Sequence, residues 1–202
     1  MSETKGLLSK AVVLGATVVL VASIIVMSIA GNVATAARPS PPPRFVDNGD
    51  GTITDNQTGL MWEKKTSAGG ANADDPTNVD NFYTWTSDFQ NNPNGTLFTD
   101  FLAKMNCTVS ATGTCPFNGK YRDWRIPTIA ELRTILSAEF PNCSSSPCID
   151  PIFGPTSVFS YWSLSADPGN FSFAWMVFFG QGKTLEIAKS NGNHARAVRG
   201  GP

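Results

Sequence analysis

Two short turn clusters, Asn48–Gly51 and Asn56–Gly59, constrain the fold more than any other feature of this chain. They divide Arg44–Trp62 into three short runs rich in apolar or β-branched residues. Glycine reaches positive φ at no steric cost, and Asn and Asp bond their own backbone, so both clusters read as tight turns. The segment is expected to form a small antiparallel meander whose hairpins deliver Trp62 into a core.

What precedes the meander points to export. Lys5 and Lys10 form a positive start, followed by the almost wholly apolar run Ala11–Ala30. As a helix that run would be about 30 Å long, enough to cross a bilayer and longer than an ordinary signal core of about 7–15 residues. Ala34-Thr-Ala-Ala37 supplies the small residues a signal peptidase accepts. Residues 1–37 are therefore a signal peptide or a signal anchor, the cleaved form being favoured. Residues 38–43 are a proline-rich spacer, and 44–200 are the exported domain. Contact with a membrane is expected only through residues 11–30, if they are retained. Removing residues 1–37 takes the charge from −1 to −2, which gives no footprint for nucleic acid.

The cysteines agree with that compartment. Cys107 and Cys115 enclose a short loop, as do Cys143 and Cys148, and pairing within each loop is favoured among the three possible connectivities. Each bridge would contribute about 2–3 kcal/mol on the chain-entropy account. Zinc would require paired knuckles of closer cysteines or added histidines, and the sequence has neither.

Beyond the meander, Thr66–Asp80 reads as a long surface loop. Phe82, Trp85 and Phe89 have helix-like spacing, although Thr84 and Thr86 oppose it. Leu97, Phe98, Phe101, Leu102 and Met105 form an amphipathic helical stripe. Trp124–Ile126 reads as a short strand leading to a second helix. There Thr128 and Glu131 make a capping box, and Ile129, Leu132, Ile135 and Leu136 form the buried face. Tyr161–Ser165, Ser172–Phe179, Thr184–Lys189 and Ala195–Arg199 read as strands of a terminal antiparallel sheet, with Ser172–Phe179 central and covered on both faces. Asn191-Gly192 is a hairpin signal. The class is α+β.

No residue set announces a reaction. The sole histidine, His194, sits beside a turn, and no nucleophile-elbow pattern accompanies a serine. Gly180-Gln-Gly-Lys-Thr184 resembles a phosphate loop only in part and leads into a strand, so it reads as a hairpin turn. Asp47, Asp50 and Asp55, with Asn48, are weak calcium candidates whose spacing departs from an EF-hand loop; turn formation explains them better. Of the tryptophans, Trp62, Trp124 and Trp175 read as core, while Trp162 is the most open to a surface role.

Arg44–Trp62, Trp124–Leu132, Tyr161-Trp-Ser163, Ala174-Trp-Met-Val177 and Arg196-Ala-Val-Arg-Gly200 occur in an order that resembles the C-terminal domain of the Legionella collagen-like adhesin. The similarity covers about residues 44–200. The ending also resembles C-type-lectin-like domains related to formylglycine-generating enzymes. The resemblance implies a C-type-lectin-like, disulfide-stabilised α+β surface module that binds a glycan or a protein, with sulfated glycosaminoglycans recognised by the adhesin example. Here no collagen stalk precedes the domain, and the mature charge is unfavourable for sulfate unless Arg122, Arg125, Arg196 and Arg199 make a local patch. Trp162, Asn170, Asn191 and Arg196 are the candidate ligand contacts. The expectation is an exported, adhesin-like, non-enzymatic binding module without a required cofactor. The alternatives are a structural subunit of an envelope assembly and an enzyme of the formylglycine-generating type, which needs free thiols.

Overall fold

The computed structural model describes residues 40–67, 69–88, 92–109, 115–139 and 141–201. The apolar run at 11–30 and Phe89 lie outside them, and among the described residues no helix is long and apolar enough to cross a membrane.

The expected meander forms. β1 (Phe45–Asp47), β2 (Thr52–Asp55) and β3 (Leu60–Glu63) pair antiparallel in sequence order. Gly49, Gly51 and Gly59 take φ of 74°, 85° and 70°, as the turns require. Trp62 is fully buried, so the last of these strands does reach the core.

The C-terminal half departs from expectation at its last strand. β5 (Ser160–Ala166), β6 (Phe173–Phe178) and β7 (Lys183–Ala188) form a three-stranded antiparallel sheet with β6 central. Gly180–Thr184 supplies the β6–β7 turn. The chain then leaves this sheet, because the Lys189 carbonyl accepts the main-chain N–H groups of Trp85 and Thr86. Asn191-Gly192 therefore closes no hairpin with β7. β8 (Gly192–Asn193) pairs with β4 (Tyr83–Thr84), which replaces the helix suggested by the Phe82/Trp85 spacing. Ala195–Arg199 does not extend the terminal sheet. Its end, β9 (Val198–Gly200), joins the meander beside β3, with Val198 opposite Trp62.

Helical structure is short. A π-helical segment, Leu97–Leu102, runs into α1 (Ala103–Met105), burying Leu97, Phe101 and Met105. α2 (Ile129–Thr134) starts at the expected capping box: Thr128 Oγ1 accepts from Glu131 N at 3.2 Å, and Thr128 N donates to Glu131 Oε2 at 2.8 Å. Trp124–Ile126 makes only a single bridge, Arg125 to Val198, since Trp124 N is taken by Asn106 Oδ1 and Pro127 offers no donor. Thr66–Asp80 is less exposed than expected: Asn78 and Val79 are buried, and Thr66 bridges to Asn78.

Two apolar clusters lie on opposite faces of the β5–β6–β7 sheet, as strand alternation dictates. Tyr161 and Val177 pack with α2, Trp62, Ile53 and Val198. Their neighbours Trp162 and Ala174 pack with Trp85, Phe101, Trp124 and Ala197. The central strand is thus covered on both sides. Cys107–Cys115 and Cys143–Cys148 are the two disulfides, and no cysteine is free.

Candidate functional site

The four residues singled out as ligand contacts do not form one surface. Trp162 has no exposed area, and its indole Nε1 donates to the Tyr83 carbonyl at 2.6 Å. The alternation that turns Tyr161 toward one core cluster turns Trp162 into the other. Arg196 is also fully buried; it is an interior cation, not a surface one. Asn170 is exposed in the β5–β6 connection, where its Oδ1 accepts from Ser172 N. Asn191 is exposed beside Gly192, next to β4.

Arg196 belongs to a buried ionic cluster. Its Nη1 donates to the main-chain oxygens of Glu63 (2.8 Å) and Phe153 (3.0 Å), and its Nη2 donates to Thr156 Oγ1 (2.9 Å). Glu63 Oε1 lies 2.6 Å from Lys65 Nζ, and Oε2 accepts from Ala197 N at 2.7 Å. Lys65 Nζ also donates to the Pro76 carbonyl. Burial pushes the Glu63 carboxyl up and the Lys65 and Arg196 cations down, against their mutual attraction. The cluster ties β3, the loop after it and the segment before β9 together, and all three charged side chains are buried.

The calcium candidates are turned toward separate cations. Asp47 is hydrogen-bonded to Lys64, which lowers its pKa, and Asp50 meets Lys120 and Tyr121. Asp55 is buried, which would raise its pKa, but the Arg44 guanidinium grips both carboxylate oxygens and the net direction is down. Among the described residues, no group of three or more His, Cys, Asp or Glu side chains converges as a metal site. The arginine patch does not assemble either. Arg125 pairs with Glu131, Arg199 pairs with Asp123, and Arg196 is interior.

The surface that stands out is aromatic. Phe82 and Phe159 are each 59% exposed, an unusual position for rings of that size. Both pack against His194, with ring centroids 4.3 Å and 6.5 Å away, and Tyr161 supports His194 from within at 5.2 Å. His194 is buried; its Nδ1 is 3.0 Å from the Asn81 carbonyl, whereas among the described residues its Nε2 makes no hydrogen bond. Burial pushes its pKa down, so the neutral ring that donates from Nδ1 and carries a lone pair on Nε2 is favoured. Gly192 lies close to Phe82, which brings Asn191 to the rim. Phe159 and Asn170 sit at opposite ends of β5, seven residues long, so roughly 20 Å separates Asn170 from this patch.

Three chain segments build the patch. Asn81 and Tyr83 are buried on either side of exposed Phe82, the alternation of a strand. Phe159 precedes β5, and His194 is bridged to Tyr161 through Trp162 N to His194 O (2.9 Å) and His194 N to Ser160 O (3.0 Å). Sequence reasoning missed both phenylalanines. Period-two alternation around Phe82 was the available signal, masked by the helix-like spacing to Trp85.

These features define an α+β, disulfide-bonded domain with an exposed aromatic surface. The chain belongs to the Lcl C-terminal domain family, whose profile matches residues 51–199. No curated protein matches it.

Proposed function

We propose that this chain is an exported, C-type-lectin-like, non-enzymatic binding module, adhesin-like in role, that recognises a glycan or a protein at the cell surface or in the periplasm. The observation that carries the reading is the pair of exposed rings, Phe82 and Phe159, resting on buried His194. An aromatic face accepts the C–H face of a sugar or an apolar side chain, and the Asn191 amide at the rim supplies polar contact. Stacking rather than charge carries recognition, because Arg125 and Arg199 are paired with carboxylates and Arg196 is interior, which leaves Arg122 as the exposed arginine of the four, unpaired among the described residues. Two disulfides and membership of an adhesin's domain family support export and a surface role. The absence of a free cysteine opposes the formylglycine-generating type of enzyme.

The test is a glycan array and a pull-down from envelope material, each with and without calcium, comparing the wild type with Phe82→Ser and Phe159→Ser. A ring at the centre of a contact carries about 2 kcal/mol, so each variant should bind about 30-fold more weakly. Blank results for the wild type in both assays, or variants that bind as well as the wild type, would overturn the reading.

A further inference from the structure

The two edges of the β5–β6–β7 sheet are unlike. The outer edge of β5 is closed by the chain itself: His194 accepts from Trp162 N and donates to the Ser160 carbonyl, and Leu164 N donates to the Pro127 carbonyl at 2.8 Å. Among the described residues, β7 pairs with β6 alone. The bond from Lys189 N to Ser172 O sets the alternation of the β6–β7 ladder, since pairs two residues apart repeat the same pattern. Ala174, Met176 and Phe178 therefore bond toward Ile187, Leu185 and Lys183, and the odd-numbered residues of β6 bond toward β5. The main-chain groups of Thr184 and Glu186 then point away from the sheet. Leu185 is 42% exposed on this edge. Beside it runs a groove of about 450 Å³ lined by Arg133, Glu139, Gly182, Lys183, Thr184 and Leu185.

We propose that β7 pairs antiparallel with β7 of a second copy of this chain, about a two-fold axis through Leu185. An isologous contact of this kind uses one patch twice. Its axis stands perpendicular to the sheet and preserves the two faces, so only registers centred on a residue are allowed. Centring on Glu186 sets two carboxylates directly opposite each other, which is destabilising. Centring on Thr184 sets Leu185 against Lys183 and leaves it without an apolar partner. Centring on Leu185 sets Leu185 against itself and lays the Lys183 stem over Ile187 of the second copy. It also places Glu186 of each copy opposite Thr184 of the other, at the groove beside Arg133. Arg133 binds Glu139 through Nε and Nη2, and its Nη1 makes no bond among the described residues. The incoming Glu186 carboxylate meets that nitrogen. Two copies joined in this way present two aromatic patches, which raises avidity for a repeating ligand without any new contact to it.

The test uses the full chain and needs no ligand. Since all four native cysteines are paired, a single introduced cysteine reports proximity to itself. Leu185→Cys should form a disulfide-linked dimer on mild oxidation, and Glu186→Cys should remain monomeric. In sedimentation the unmodified chain should be a dimer, and Leu185→Lys should weaken association at least about tenfold with an unchanged melting temperature. A monomeric wild type, or equal cross-linking by the two cysteine variants, would overturn the pairing. These readouts are independent of glycan or protein binding, so failure here leaves the proposed function standing.

Discussion

The buried ionic cluster makes a sign prediction that ordinary packing does not. Glu63 is the one carboxylate of the cluster, and Lys65 and Arg196 are its two cations, all three essentially excluded from water. Glu63→Gln keeps the shape and the acceptor for Ala197 N, but leaves two buried cations facing each other. Breaking a buried pair from one side costs about 3–5 kcal/mol. Lys65→Met loses the 2.6 Å ion pair and the bond to the Pro76 carbonyl, yet leaves Glu63 with Arg196. Burial already pushes the Glu63 carboxyl up, so it protonates at modest cost, and about 2–3 kcal/mol is expected. In the Glu63→Gln background the same Lys65→Met change removes an unpaired buried charge. It should then stabilise, by about 1–3 kcal/mol. Urea unfolding with the disulfides intact measures all four corners of the cycle, and a domain of about 5–15 kcal/mol stays folded throughout. Equal costs of Lys65→Met in both backgrounds, within about 0.5 kcal/mol, would refute the coupling.

Two further perturbations test the patch support and the sheet's turn. Burial lowers the His194 pKa below its ordinary value near 6.5, so its contribution to stability is complete above that pH and is lost as pH falls toward the folded value. The wild type should therefore lose stability below pH 6.5 relative to His194→Gln, measured as urea midpoints; parallel curves would contradict this. Gly182 has φ of 67°, and an added Cβ would sit 2.4 Å from the Ala138 carbonyl oxygen, whereas Gly49 has φ of 74° with nothing within 4 Å. Gly49→Ala should cost about 1–2 kcal/mol for conformation alone, and Gly182→Ala more than about 2 kcal/mol, read from the same unfolding curves.

Local features were legible in the sequence because local chemistry fixes them. The turn glycines of the meander, the Thr128–Glu131 capping box and the two short cysteine loops each depend on a few adjacent residues. The partners of later segments were not legible. Asn191-Gly192 carries a hairpin signal, but Lys189 is held by Trp85 and Thr86 across the molecule, and that long-range bond redirects the chain. Arg196 is a candidate ligand contact by sequence, since arginine is rarely fully buried unless paired. Its interior position depends on carbonyls of Glu63 and Phe153, which no local pattern announces. Trp162 was misplaced for a related reason: within a run where Tyr161, Trp162 and Ser163 are all buried, alternation assigns faces but does not say that both faces are covered.

The buried and exposed aromatics are coupled. Trp162 Nε1 holds the Tyr83 carbonyl, which fixes the residue after Phe82, and the Tyr161–His194 bridge fixes the imidazole that both phenylalanines rest on. The segments around 81–83, 159–162 and 192–194 thus meet at the patch. A platform held this way loses little conformational freedom when a ligand docks, so the ordering cost of about 0.5–1.5 kcal/mol per side chain is largely met on folding. Truncating Phe82 or Phe159 should then weaken binding while leaving stability within about 0.5 kcal/mol, as for other surface positions. Loss of the Trp162 bond, by contrast, should weaken both together, because it releases the strand that presents Phe82.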